Sequence, residues 1–255
     1  MTFYQFEIFQ EQSSCLHGIT LKNMNLPFGG SLALHTGEEV EKIICNRQEM
    51  AKALGAGNAA FVLANQTHSD HVYVVTDRLT RGWSEQESAV AACDALITAQ
   101  KDVVIGVLTA DCVPVLLYDP VKEVVAAVHA GWKGTKANIV GKTVKKMQEV
   151  SGCDPATVIA GIGPSIGECC YEVGEDVALH FSDVKDAYVV KGNGKYQLNL
   201  KHINKYQLLE AGLSVVHIET SNVCTSCDTE HFFSYRKEQG CSGRFMSLIG
   251  ISPSV

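Results

Sequence analysis

The sequence predicts an α+β fold in which mixed, largely antiparallel β-sheets are flanked by helices, organised as one domain over residues 1–255. Three observations carry that prediction. Runs of Val, Ile and Leu bounded by turn residues are short and numerous, as strands are. Between residues 103 and 128 such runs follow one another with no room for a helix, which favours antiparallel pairing over a doubly wound sheet. Helical periodicity is confined to a few stretches, most of them stopped by glycine, and no linker, repeat or compositional shift divides the chain.

The expected strands are 59–63, 71–75, 103–108, 113–118, 123–128, 157–160, 214–218 and 245–249. Several are apolar on both faces, as strands buried from both sides are. The first expected helix is 46–54, followed by Gly55. The clearest is 135–150, where Ile139, Val140, Val144, Met147 and Val150 share one stripe and Gly152 follows. A third is expected to begin near Pro164 or Ser165, and a fourth covers 199–211, closed by Gly212.

At 255 residues and 46% hydrophobic, the chain can bury a core without disulfides or a structural metal. A net charge of −7 with no Lys/Arg block argues against nucleic acid or an anionic membrane as partner, leaving small molecules as the default ligand. The longest apolar tract, 103–118, is interrupted by Asp111 and Pro114 and is shorter than the ~20 residues that span a bilayer. Residues 1–15 show neither a basic n-region nor an apolar h-region, so a cytoplasmic protein with reduced thiols is expected, despite its ten cysteines.

Three segments place polar or nucleophilic residues after apolar strands: Asn65-Gln66-Thr67-His68, Thr109-Ala110-Asp111-Cys112 and Val128-His129-Ala130-Gly131-Trp132. Scaffolds commonly present functional groups at strand ends. Two histidines and one thiolate match a catalytic zinc site, which keeps a position open and a net charge of +1 to acidify bound water. His71 is set aside because strand positions three apart face opposite ways.

Cys224-Thr225-Ser226-Cys227 is a CxxC whose nearest sequence partners for a metal are His231 and Cys241, at irregular spacing; it is read as a pair of reduced thiols near a turn. Adjacent Cys169 and Cys170 suit neither an ordinary disulfide nor two ligands from one strand face. The glycines of 161–167 fail the dinucleotide-loop pattern, because Ile166 stands where a glycine is needed. Gly131-Trp132-Lys133-Gly134-Thr135 joins a strand to a helix and is a candidate phosphate cradle with Lys133 adding charge, or a plain N-cap turn. Arg47, Arg236 and Arg244 stand as either oxyanion clamps or packed stems.

The ordered segments NQTHSD, CDALIT, TADCVPVLLYDP, VHAGWKGT, AGIGPSIGECCYEVGEDV and FFSYRKEQGCSGR resemble the YfiH/YlmD family, first described as polyphenol-oxidase "laccase-domain" proteins. The resemblance runs from about His17 to the C-terminus. It implies a fold related to the cytotoxic necrotizing factor toxins, whose site is a Cys–His pair. It implies that His68, Cys112 and His129 bind zinc and that Arg47 meets phosphate. The implied activity is zinc-dependent phosphorolysis of purine nucleosides (adenosine, inosine, guanosine, S-methyl-5'-thioadenosine) together with adenosine deamination. Cys112 and His129 would then be catalytic as well as metal-binding, and Asp111 or Glu172 would move a proton during deamination. The chain departs from the family at 19–22, where Lys22 follows Leu21, and at 31–34.

Two other readings stand beside this one. A copper polyphenol oxidase with four coppers needs around ten histidines, largely in H-x-H pairs, whereas this chain has nine and no such pair. A single Cu2+ in the two-His, one-Cys site is a simpler alternative, since copper outranks zinc in intrinsic affinity. A metal-free hydrolase would use Cys112 activated by His129 and would not need His68.

Overall fold

The computed structural model describes residues 1–240 and 243–252; Cys241 lies outside them. One sheet has five strands in the order β1 (Phe3–Tyr4), β2 (Cys15–Thr20), β14 (Phe245–Ile251), β6 (Val103–Thr109) and β3 (Ala60–Leu63). Neighbours are antiparallel except β3 with β6. A second has six in the order β13 (Ile218–Thr220), β9 (Ile159–Ile162), β7 (Val113–Asp119), β8 (Val124–Ala130), β5 (Ala95–Thr98) and β4 (Val72–Val75), with only its outermost pairs parallel. A small antiparallel sheet of β10 (Glu172–Gly174), β12 (Lys195–Leu198) and β11 (Tyr188–Gly192) stands apart.

The two large sheets stack face to face, and alternation along each strand decides what goes between them. Ile105, Val107 and Ile249 of the first sheet pack with Leu96, Leu116, Val125 and Ala127 of the second. The opposite faces carry helices. Val104, Leu108, Met246 and Leu248 meet Met50 and Leu54 near the end of α2 (Val40–Ala53). Val115, Leu117, Ala126 and Val128 meet α4 (Ile139–Ser151) and α6 (Leu200–Glu210) through Val140, Val144, Met147, Ile203 and Leu208. Each large sheet is therefore buried on both sides, which explains the runs apolar on both faces.

Four expectations are corrected. The helix of 135–150 is two, α3 (Trp132–Lys136) and α4, because Asn138 sits at φ 58° and caps α4 by accepting from the Gly141 N–H. No helix begins at Pro164 or Ser165; Ser165 instead bridges to Cys224, and a turn at 168–170 follows. Of 214–218 only the last residue joins β13, residues Val215–His217 forming a 3-10 turn. β1, β2, β5 and the three strands of the small sheet are strands without having been expected, β5 being only four residues long and β2 interrupted by His17 and Gly18.

Candidate metal centre and cavity

His68, Cys112 and His129 meet at one end of the sandwich, where the chain crosses between the sheets. β3 and β6 lie in one sheet and β4 and β7 in the other, so the connections carrying His68 and Cys112 both span the gap. His129 lies inside β8 rather than after it, paired with Pro114, on the same side of the strand as Val125 and Ala127. His68 Nε2 is 3.8 Å from Cys112 Sγ, and the His68 and His129 rings are 4.8 Å apart. The three ligand atoms all fall within 4.8 Å of one another. His68 and Asp111 hold φ of 58° and 87°, a concentration of strained non-glycine backbone around the centre.

Asp94, which sequence reasoning left without a role, organises the centre. It is completely buried, and its Oδ1 lies 2.7 Å from His129 Nδ1. The same carboxylate accepts from the backbone N–H groups of Thr67, His68 and Ser69 and from the Ser69 hydroxyl. It thus fixes both the His129 ring and the turn that presents His68. Burial opposes its charge, but the His129 and Ser69 contacts outweigh that and hold the carboxyl well below the usual range. Burial would also push the Cys112 thiol up, yet His129 and His68 bring it down to about 6. His129 moves the other way, to about 9, because Cys112 and Asp94 overcome its burial.

This donor set fits a divalent transition metal. With Nδ1 of His129 committed to Asp94, its Nε2 is free to ligate, the usual carboxylate–histidine–metal arrangement. One sulfur and two imidazoles leave a coordination position facing a cavity of about 520 Å3, large enough for a drug-sized molecule. Gly131 makes the approach feasible: a Cβ there would stand 2.9 Å from His68 Cδ2 and 3.0 Å from Cys112 Sγ.

Arg236 and Arg244 both line the cavity. Arg236 donates to the Glu172 carbonyl at 3.0 Å and lies over the Tyr171 ring at 5.3 Å. Arg244 lies over Tyr235 at 5.6 Å. His35, also in the wall, is held below its ordinary pKa by burial and by the positive Arg244 and Arg47.

Four candidate residues are placed otherwise than expected. Arg47 does not line the cavity: it is completely buried, with its guanidinium donating to the carbonyls of Leu32, Gly82 and Trp83. Glu172 offers the centre only its backbone carbonyl; its carboxylate is exposed near Lys195, 3.9 Å away. Asp111 lines the cavity, but its two oxygens accept from the Thr225 hydroxyl and the Arg236 N–H, both at 2.7 Å. Lys133 lies at a neighbouring opening beside Trp132, on a helix of only five residues. His71, away from the group, turns Nδ1 to the Ala92 carbonyl.

Cys169, Cys170, Cys224 and Cys227, read from the sequence as separate reduced thiols, come together with all four Sγ atoms within 4.8 Å of one another.

Residues 24–252 match the family model described as multi-copper polyphenol oxidoreductase laccase. Purine nucleoside phosphorylase YlmD of Bacillus subtilis is 36% identical over 251 residues, covering 95% of this chain and 90% of that protein. Adenosine deaminase RL5, from an unknown prokaryotic organism, is 35% identical over 222 residues, covering 85% and 84%. The crystal structure of YlmD from Geobacillus stearothermophilus superposes with a TM-score of 0.92 at 31% identity, covering 98% of this chain and 99% of that one. Bacillus licheniformis YfiH gives 0.90 at 36%, covering 95% of each. With a matching sandwich and a family model spanning nearly its whole length, the chain belongs to the YfiH/YlmD family of laccase-domain proteins.

Proposed function

We propose that this chain is a zinc-dependent purine nucleoside phosphorylase acting on adenosine, inosine, guanosine and S-methyl-5'-thioadenosine, with adenosine deaminase activity besides. One observation carries the reading: a cavity of about 520 Å3 joins a three-ligand metal centre to two arginines. Two relatives, a purine nucleoside phosphorylase and an adenosine deaminase, support the same substrate class.

Phosphorolysis forms a bond from a phosphate oxygen to C1′ of the ribose and breaks the bond from C1′ to the purine nitrogen, the departing base taking a proton. Arg236 and Arg244 supply the fixed positive charge that binds phosphate in the cavity. His35, kept neutral beside Arg244, offers a hydrogen-bonding imidazole without a charge of its own. Tyr171 and Tyr235 give apolar faces for the base or sugar and pack the two guanidinium groups. Asp111 acts by bracing: its carboxylate ties Thr225 and Arg236 to the loop that carries Cys112. A bound Zn2+ would supply Lewis acidity at the cavity floor, held by His68, Cys112 and His129. Cu2+ is the alternative occupant of the same ligands.

The experiment is an assay of adenosine and inosine with and without phosphate, on protein of measured metal content. Ribose 1-phosphate and free base, formed only with phosphate, are expected, with Arg236→Met and Arg244→Met raising the KM for phosphate. Conversion of adenosine to inosine alone, indifferent to phosphate, sinks the phosphorylase reading.

A second reading has its own observation. Asp94, His129 and Cys112 also form the chain of contacts of a Cys–His–Asp hydrolase, with the thiol held down and the imidazole up. His68→Ala separates the two, since full activity without metal fits only the hydrolase.

A further inference from the structure

We propose that Cys169, Cys170, Cys224 and Cys227 form a second metal centre, a closed tetrathiolate site for a structural Zn2+. Four sulfurs from two segments more than fifty residues apart converge, with Cys227 Sγ 3.7 Å from Cys169 Sγ and 3.4 Å from Cys170 Sγ. Tetrahedral zinc with bonds of about 2.3 Å needs sulfurs about 3.8 Å apart. Those separations are far from the ~2.0 Å of a disulfide.

The backbone around the cluster is built for thiolates. Residues 167–171 turn helically, with the N–H groups of Cys170 and Tyr171 both donating to the Gly167 carbonyl. In a turn of this kind adjacent side chains are rotated about 100° rather than opposed, which lets Cys169 and Cys170 address the same point. The CxxC makes a matching turn, with the N–H groups of Cys227 and Asp228 donating to the Cys224 carbonyl. The Gly167 N–H donates to Cys224 Sγ at 3.1 Å, a bond that favours the thiolate. A Cβ at Gly167 would lie 3.2 Å from Cys169 Sγ and 3.1 Å from Cys224 Cβ, so glycine keeps the two turns close.

Four neighbouring thiolates repel one another unless a cation sits among them, and a soft tetrahedral S4 set selects zinc among available divalent ions. Binding forms four Zn–S bonds and releases thiol protons to solvent, with no change of oxidation state. The full ligand set leaves no open position, so the site is structural. Its place gives it work: the first turn lies between Ile166 and Tyr171, both in the cavity wall, and the second holds Thr225, which braces Asp111. A metal here would pin that wall to the loop carrying Cys112.

The test uses the full chain purified under reducing conditions. Zinc per chain is measured in the wild type, in Cys170→Ser/Cys227→Ser and in His68→Ala/His129→Ala; Co2+ spectra are recorded for the wild type and the histidine variant. Two zinc ions are expected in the wild type and one in each variant, with a four-thiolate Co2+ spectrum surviving in the histidine variant. Should the cysteine variant fail to fold, that spectrum decides. A histidine variant without zinc, a cysteine variant holding as much zinc as the wild type, disulfides among these four residues, an iron-bound cluster or a cobalt spectrum lacking the four-thiolate bands would each overturn the proposal.

Discussion

Asp94 Oδ1 and His129 Nδ1 lie 2.7 Å apart in a buried pair, and the same carboxylate collects three successive N–H groups from the turn bearing His68. One residue therefore sets the direction of one ligand and the position of another. Asp94→Asn keeps the shape but removes the negative charge and one acceptor. Metal affinity is expected to fall about 10- to 100-fold, the usual cost of losing such a partner. Competition with a chelator measures it, and an unchanged affinity would remove Asp94 from this role.

Gly131→Ala tests the packing of the same centre. The added methyl would stand 2.9 Å from the His68 ring and 3.0 Å from Cys112 Sγ, closer than side-chain carbon atoms tolerate. The backbone at Gly131 has an ordinary φ of −72°, so the conflict is one of space and not of conformation. The metal stoichiometry at this centre is expected to drop while the melting temperature moves by only a few degrees. Metal binding equal to wild type would show that His68 can swing aside at no cost.

How far the centre was legible in the sequence follows from what each residue depends on. His68, Cys112 and His129 stood out because a polar residue beside an all-apolar strand is visible in one dimension. Asp94 did not, because its function exists only once β5 pairs with β8 and brings it beneath His129; the motif CDALIT held it without saying where it faced. The four clustered cysteines were hidden for the same reason, since their site is made by two turns that meet through the bridge from Ser165 to Cys224. Sequence likewise gives the charge of Arg47 but not its direction, and Glu172 has the right chemistry on the wrong side of its strand.

Arg47 then becomes a stability residue. Its guanidinium is completely buried, donates to three backbone carbonyls and lies 5.6 Å from the Trp83 ring centroid. Arg47→Met strands those carbonyls at the junction of α2 with residues 82–83. A loss of about 3 kcal/mol is expected in urea unfolding, comparable with other broken buried polar networks. At temperatures where the variant is folded, the KM for phosphate should be within twofold of wild type; a large rise in KM with intact stability would restore Arg47 to the phosphate site.

The last prediction concerns pH and rests on His17, away from the metal centre. His17 lies in β2, 3% exposed, between the Phe6 and Phe9 rings, and its Nε2 accepts the Phe6 N–H at 3.0 Å. Burial pushes its pKa down to about 4, and accepting that N–H requires the unprotonated nitrogen. In the unfolded chain the imidazole returns to its ordinary value of about 6.5. Between pH 6.5 and 4 the unfolded state therefore binds more protons than the folded one, so stability falls as the pH falls through that window and is flat for this group above it. The contribution amounts to about 2–3 kcal/mol by pH 4.5. Gln at position 17 can still accept from the Phe6 N–H but does not titrate. Urea unfolding at pH 7 and 4.5, with chelator present throughout so that metal loss is common to both proteins, should show the wild type losing about that much more stability than His17→Gln. Equal losses would mean that a protonated His17 is accommodated in the folded chain, for which the Phe6 N–H would have to find another acceptor.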